Sequence, residues 1–373
     1  MKKIISSVLL ITLCTLSVNA QQLADGFYHF KNTATGRYIS INDTDPSNYP
    51  VSQSGDVNMA GIRTYISYDT VAVSPSCVIF VKSLGNGKYD LVSQGSSLYT
   101  MANQKLAIDI TANGNGSYKI HGTAQGITKY LSDGSPSESD SWMMNRLVET
   151  QDWWAIPINT SDEYIGVRPD VKTADGQYYG TIFAGFNFRL ASEGMTAYYV
   201  SNAGGTGFTM TQIEDDVIPG NTPVIIKCNS ANVKDNKIEP VIGGYTFDHQ
   251  NWLGGVYCSI SVTKHRNTTL FDKITMRVLG LSDKGELAFV ADAPAGRLYK
   301  DQFLMANRAY LKVNASDADV MIHGKYEPQA INSIEAENQA TAGTYTLTGV
   351  RIPDGVTPAA GIYIKNGKKI VIK

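Results

Sequence analysis

The chain has 373 residues, 34 glycines, 21 tyrosines and a net charge of -2, with acidic and basic residues scattered along it. This balance excludes strong electrostatic attraction to nucleic acid or to an anionic membrane surface. Four cysteines are too few for a disulfide scaffold. Short apolar runs rich in tyrosine and β-branched residues favour strands and tight turns, so we predict an all-β fold of two or three domains.

The first 20 residues have the layout of a cleavable secretory signal. Lys2 and Lys3 precede an apolar run over residues 4–18, and small residues lead to Ala20. We predict cleavage between Ala20 and Gln21. The apolar run is shorter than the roughly 20 residues that a membrane-spanning helix needs. No later stretch is apolar enough to span a membrane, so no transmembrane segment is expected in the mature chain.

A repeated hairpin pattern occupies residues 24–158. A turn glycine precedes a strand with alternating side chains at Gly26, Gly87 and Gly116, and a second short strand follows each one. The segment ends on a strand with Trp153, a residue type that can seal a barrel.

The first of these units continues into Thr35-Gly36-Arg37-Tyr38-Ile39, and the last contains Gln151-Asp152-Trp153, a loose match to a Gln-x-Trp signature. With these features, residues 24–158 resemble the ricin-type β-trefoil lectin modules. The resemblance implies an N-terminal β-trefoil-like barrel that binds sugar.

A polar loop over residues 42–49 offers a local ligand site. Asp43 and Asp45 beside Tyr49 could bind a sugar or Ca²⁺ through oxygen atoms. The lectin resemblance implies sugar sites that pair a carboxylate or amide with an aromatic platform, which makes these three residues the predicted ligand-binding set. The alternative is an ordinary turn, because Asn, Asp, Pro and Ser are also the residues that turns require. For the tryptophans Trp142, Trp153 and Trp154, core packing competes in the same way with exposed stacking.

Residues 160–325 read as a series of short strands separated by glycine-containing turns, for which a β-sandwich is an economical packing. The segments 181–188, 194–199, 217–226 and 306–311 resemble a module of large secreted and surface proteins of Gram-negative anaerobes. That resemblance implies surface display and names no reaction.

No catalytic constellation is found in the sequence. The histidines lie in separate segments, and zinc, nucleophile-elbow and phosphate-loop motifs are missing, so no catalytic residue, metal or cofactor is predicted. A secreted hydrolase stays open as the alternative, either a cysteine peptidase using Cys258 and His265 or a glycosidase using an acidic pair near Glu214. Cys228 and Cys258 could form a bridge, or with Cys77 could be buried thiols.

The C-terminal part starts with a polar segment, residues 326–343, that is typical of a linker. Residues 344–373 then form a small unit. Residues 345–351 are predicted as one strand, and residues 361–365 and 368–372 as a hairpin around Asn366-Gly367, a dipeptide suited to a type I′ turn.

This ending resembles the C-terminal sorting domains that the type IX secretion system reads. The residues that carry the match are the following: Tyr345, Gly349, Gly361, Tyr363, Lys368 and Lys369. The resemblance implies outer-membrane secretion machinery as a partner and the outer face of the outer membrane, or the medium, as destination. A terminal hairpin that merely docks on its neighbour, in a periplasmic protein, is the alternative.

Together these features predict a secreted, non-enzymatic surface protein. Its expected architecture is a β-trefoil-like barrel, a β-sandwich-like middle domain and a small C-terminal hairpin unit. The expected partner is a glycan or another extracellular ligand, and a protein-binding adhesin is a further alternative.

Overall fold

The computed structural model of the chain describes residues 22–43, 58–59, 61–65, 68–101, 104–105, 107–124, 127–133, 142–143, 148–204, 207–257, 270–314, 318–326, 344–346, 351–352, 358–365 and 368–372. The described fold is all-β, as predicted. Its helical parts are a single turn, α1 (Tyr68–Val71), and 3-10 turns at Pro75–Cys77, Val148–Thr150 and Val233–Asp235. None of the helices described is long and apolar enough to cross a membrane. The chain divides into two compact units, Met1–Tyr326 and Glu327–Lys373.

The strands of the first 157 residues are, in chain order, β1 (Gly26–Asn32), β2 (Tyr38–Asp43), β3 (Asn58–Met59), β4 (Gly61–Tyr65), β5 (Ile79–Gly85), β6 (Lys88–Ser93), β7 (Ser96–Ser97), β8 (Tyr99–Met101), β9 (Gln104–Lys105), β10 (Ile108–Ala112), β11 (Tyr118–Ala124), β12 (Ile127–Ser132), β13 (Trp142–Met143) and β14 (Asp152–Pro157).

Six of these strands form a closed antiparallel circuit. Strand β1 pairs with β5, followed by β6, β10 and β11, and β14 pairs with both β11 and β1. Further strands lie between successive pairs of circuit strands and pair with each other: β2 with β4, β8 with β9, and β12 with β13. Of these, β2 and β12 also pair with the circuit strands β1 and β11. The circuit and these further strands are called the barrel below.

The interior of the barrel is filled by side chains that alternate along its strands. Phe30 of β1, Ile79 of β5 and Ile120 of β11 are fully buried there. Trp153 of β14 lies in the same core, and its indole Nε1 donates a hydrogen bond of 3.0 Å to the backbone oxygen of Leu131. The last strand therefore seals the barrel with a tryptophan, as the sequence predicts.

The middle region, residues 158–326, contains β15 (Ile165–Gly166), β16 (Val171–Lys172), β17 (Tyr178–Ile182), β18 (Asn187–Leu190), β19 (Thr196–Gly204), β20 (Gly207–Gln212), β21 (Val224–Cys228), β22 (Lys237–Val241), β23 (Leu253–Val256), β24 (Met276–Leu281), β25 (Leu287–Val290), β26 (Leu298–Tyr299), β27 (Phe303–Leu304), β28 (Arg308–Lys312) and β29 (Val320–Tyr326).

Ten of these strands form one mixed sheet in the order β16-β17-β21-β19-β20-β29-β25-β24-β28-β23. Tyr179 of β17 and Leu311 of β28 come from distant strands of this sheet yet share one buried core, so the sheet curls over itself. A three-stranded sheet, β15-β22-β18, packs on it through a second core that contains Phe188 and Ile226.

Buried polar contacts join the barrel to the middle region. Gln94 and Asn307 exchange two amide hydrogen bonds, of 3.2 and 3.0 Å, and both side chains are buried. His29 Nδ1 lies 3.0 Å from a carboxylate oxygen of Glu163, whose other oxygen accepts a hydrogen bond of 3.3 Å from the Tyr38 hydroxyl. These contacts fix the two parts relative to each other.

The C-terminal unit has the strands β30 (Thr344–Thr346), β31 (Arg351–Ile352), β32 (Gly361–Lys365) and β33 (Lys368–Ile372), in the sheet order β31-β30-β32-β33. The predicted hairpin of β32 and β33 is confirmed. The prediction of one strand over residues 345–351 is wrong, because Tyr345 pairs with Arg351 in two antiparallel strands. Thr348-Gly349 is a sequence on which a chain can turn.

Candidate ligand-binding cleft

A cleft of about 490 Å³ lies where the outer surface of the barrel meets the loops of the middle region. Its volume is within the range of small-molecule sites. The residues that line it are Asp25, Phe27, Val78, Phe80, Lys82, Val92, Ser93 and Gln94 from the barrel, and Gly185, Phe186, Asn187, Gly220, Asn221, Val241, Ile242, Gly243 and Tyr245 from the middle region.

The floor of the cleft carries three aromatic rings. Phe27 and Phe80 are directly opposed on β1 and β5, with ring centroids 4.9 Å apart. Both face outward because their neighbours Tyr28 and Ile79 point into the barrel core. Phe186 lies 5.8 Å from Phe27 and is 8% exposed, so the half-buried Phe27 and Phe80 provide most of the accessible aromatic surface. Adjacent rings of this kind present an apolar surface against which the C–H groups of a ligand can pack.

The wall of the cleft depends on a close approach of two backbones. A Cβ atom on Gly185 would lie 2.4 Å from the backbone carbon of Gln94 and from the backbone nitrogen of Gly95. Only a residue without a side chain fits there. Gln94 and Gly95 both have positive φ angles, of 51° and 75°. Glycine adopts such an angle readily, whereas Gln94 adopts it as a residue with a side chain.

One amide shapes the opposite side of the cleft. Asn187 Nδ2 donates a hydrogen bond of 2.8 Å to the backbone oxygen of Gly243. Its Oδ1 accepts one of 2.9 Å from the backbone nitrogen of Gly220. Asn187 thus ties two loops of the middle region together, and the loop after β22 carries the exposed side chains of Ile242 and Tyr245 to the rim.

The charges in the cleft balance. Besides the Tyr245 hydroxyl, the ionisable groups among its described lining residues are Asp25 and Lys82. A carboxylate oxygen of Asp25 accepts a hydrogen bond of 2.7 Å from the backbone nitrogen of Ser83. Gln94 and Asn221 add neutral amides. Such a lining suits a neutral, hydroxyl-rich ligand, because it combines an apolar floor with hydrogen-bonding groups around it.

The described lining of the cleft contains few groups that could act in catalysis. Glycoside hydrolysis requires two carboxyl groups across the bond, and Asp25 is the one carboxylate among the described lining residues. Those residues include no cysteine or histidine to act as nucleophile or base. Across the described part of the chain, no group of three or more His, Cys, Asp and Glu side chains is placed to hold a metal ion.

The residues predicted from the sequence as a ligand site are not among the described lining residues of the cleft. Asp43 ends strand β2, and Asp45 and Tyr49 lie outside the described residues. Ala20, Gln21, Cys258 and His265 lie outside them as well. The acidic run at residues 214–216 is exposed and forms part of a loop.

The tryptophans and cysteines have distinct environments. Trp153 is a core residue, whereas Trp154 is 41% exposed on the outside of the barrel. Cys77 and Cys228 are buried free thiols. Burial raises the pKa of each thiol to about 12, since the thiolate would be desolvated. These two cysteines therefore behave as small apolar residues rather than as nucleophiles.

The sorting residues predicted from the sequence lie in the small C-terminal sheet, in so far as they are described. Gly361 and Tyr363 are in β32, and Lys368 and Lys369 are in β33. Tyr345 is in β30, and Gly349 lies outside the described residues. The Tyr363 hydroxyl donates a hydrogen bond of 2.8 Å to the backbone oxygen of Ala359.

The cleft itself was missed by sequence reasoning. Successive side chains of a strand point to opposite faces, so Phe27 and Tyr28 after Gly26 cannot both face the core. This local pattern indicates that one of the two aromatic residues points outward. Nothing local in the sequence shows that Phe186, more than 150 positions later, packs against that ring. A search against protein-family models and against curated proteins finds no match for this chain.

Proposed function

We propose that the protein is a secreted, non-enzymatic surface protein that binds glycan in the cleft between the barrel and the middle region. The observation that carries this proposal is the floor formed by Phe27, Phe80 and Phe186, bordered by amides and by one balanced pair of charges. Sugars bind to such surfaces because their C–H faces pack on aromatic rings while their hydroxyl groups meet polar side chains.

The pairing of the barrel strands supports a β-trefoil-like assignment for the N-terminal module. A closed circuit of six strands, with a further pair of strands between β1 and β5, between β6 and β10 and between β11 and β14, divides into three units of four strands each. The repeat of a glycine followed by a strand in the sequence also indicated three hairpin units. Fold alone does not assign a ligand, so the glycan proposal rests on the cleft.

For localisation, we propose export through the N-terminal signal, followed by delivery to the outer face of the outer membrane through the C-terminal unit. The composition of residues 1–20 and the terminal hairpin with Lys368 and Lys369 support this route. Cell fractionation tests it. Deleting residues 344–373 should leave the protein in the periplasm, and unchanged delivery to the surface would contradict the sorting role.

A glycan array tests ligand binding, with the chain from Gln21 to Lys373 as the probe. Tyr245 and Trp154 provide a matched pair of exposed aromatic residues, 44% and 41% exposed, of which only Tyr245 lines the cleft. We expect Tyr245→Ala to weaken the array signal and Trp154→Ala to leave it unchanged. No retained sugar for the wild-type protein, or loss of signal only with Trp154→Ala, would contradict the proposal.

A further inference from the structure

A second, smaller pocket of the middle region is built around one buried carboxylate and several arginines. It has a volume of about 170 Å³. Asp170 is 10% exposed, and Arg297 Nη1 donates a hydrogen bond to its Oδ1. Arg308 Nη1 lies 3.4 Å from the other carboxylate oxygen. Arg168 also lines the pocket.

The fold of the middle region holds Asp170 in place. The backbone nitrogen and hydroxyl group of Thr181 donate hydrogen bonds of 2.8 and 3.2 Å to its Oδ2. The segment that carries Asp170 lies directly against β17, where a Cβ atom on Gly180 would be 2.8 Å from the backbone oxygen of Arg168. The carboxylate therefore anchors the arginines to a fixed point of the sheet.

Arg308 is fixed by further backbone contacts. Its Nη1 donates hydrogen bonds of 2.8 Å to the backbone oxygen of Thr181 and of 3.1 Å to that of Arg168. Arg308 and Arg297 are 25% and 22% exposed, so both guanidinium groups are oriented by protein yet reach solvent. Among the described residues, their Nε and Nη2 groups have no hydrogen-bond partner.

The charge of the pocket is unbalanced. The guanidinium groups of Arg297 and Arg308 lie against a single carboxylate, that of Asp170, which leaves one positive charge in excess. Arg168 also lines the pocket, but its guanidinium donates a hydrogen bond to the backbone oxygen of Asp69. The rest of the lining is mostly apolar, with Leu304, Met305 and Tyr310 among its residues. A partly desolvated site with unused guanidinium donors favours an anion, because charge-assisted hydrogen bonds to arginine are short and strong.

We propose that this pocket binds the acidic group of a ligand, a carboxylate or a sulfate, through Arg297 and Arg308. The guanidinium fork matches the oxygens of such groups, and two donors of one arginine can bind two oxygens at once. Asp170 does not receive the ligand but orients the arginines that do. The pocket would bind an anion whether or not the cleft binds glycan.

Isothermal titration calorimetry tests the proposal on the chain from Gln21 to Lys373. The probes are sodium D-glucuronate and sodium sulfate, with D-glucose and sodium chloride at matched ionic strength as blanks. We expect saturable binding of at least one anion by the wild-type protein, weakened about tenfold by Arg297→Gln, since a hydrogen bond to a charged group is lost. Tighter binding of glucuronate would identify an acidic sugar, and binding of sulfate alone a free-anion site.

Two variants keep the test decisive. Arg297→Lys serves if Arg297→Gln fails to fold, because lysine keeps the positive charge beside Asp170 but lacks the second set of guanidinium donors that would bind the anion, so weaker anion binding is again expected. Arg189→Gln is the control, since it removes the same charge from an exposed ion pair with Glu239 outside the pocket. No saturable anion binding by the wild-type protein, or equal weakening by Arg189→Gln, would overturn the proposal and leave a purely structural ion-pair network.

Discussion

Replacing Gly185 by alanine tests whether the cleft depends on close contact between the barrel and the middle region. The new Cβ atom would lie 2.4 Å from backbone atoms of Gln94 and Gly95, far inside the closest approach that real side chains show. Backbone atoms cannot rotate away as a side chain can, so the two parts must separate or strain. Overpacking of this kind costs about 1–3 kcal/mol of the free energy of unfolding.

Urea unfolding, followed by circular dichroism, measures that cost. Gly204→Ala is the control, because Gly204 lies in strand β19 with nothing within 4 Å of a new Cβ atom. The control should be neutral or slightly stabilising, since alanine lowers the entropy of the unfolded chain. Glycan binding should weaken in Gly185→Ala and persist in Gly204→Ala. Equal stability of the two variants would refute the described contact.

Three further outcomes are expected. Trp153→Ala should lower the free energy of unfolding by about 3–5 kcal/mol in urea titrations, because it empties the barrel core and removes a hydrogen bond to Leu131; a change under 1 kcal/mol would speak against a sealed barrel. The free energy of unfolding should be highest below pH 9 and fall as the pH rises from about 9 toward 12. The folded protein raises the pKa values of Cys77, Cys228 and Tyr38 to about 12 each, so the unfolded chain loses these protons at lower pH than the folded protein does. A free energy of unfolding that stays constant from pH 8 to pH 11 would contradict this. In the native protein, Cys77 and Cys228 should react with a thiol reagent only at the rate of unfolding, whereas rapid labelling of both at pH 8 would contradict their burial.

Local patterns in the sequence predicted much of the fold. The glycine-strand units after Gly26, Gly87 and Gly116 correspond to the circuit strands β1, β6 and β11, and the final strand does carry the buried Trp153. These features are encoded within a few residues, since turn glycines and alternating side chains act locally. The C-terminal hairpin was predictable for the same reason.

The candidate site was not predictable in this way. Its floor joins Phe27 and Phe80 of the barrel to Phe186 of the middle region, and its wall requires Gly185 to approach Gln94. Contacts between distant segments depend on how the curled sheet packs against the barrel, so they cannot be predicted from a short sequence motif. The predicted single strand over residues 345–351 failed for a related reason, because apolar alternation does not reveal where a strand turns back.

A crystal structure of the protein with the glycan that gives the strongest array signal tests the central claim most directly. The sugar should lie in the cleft, with one ring packed on Phe80 or Phe27 and a hydroxyl group within hydrogen-bonding distance of Asp25 or Asn221. A sugar bound instead at the loop of residues 42–49, with the cleft empty, would contradict the assignment of the binding site.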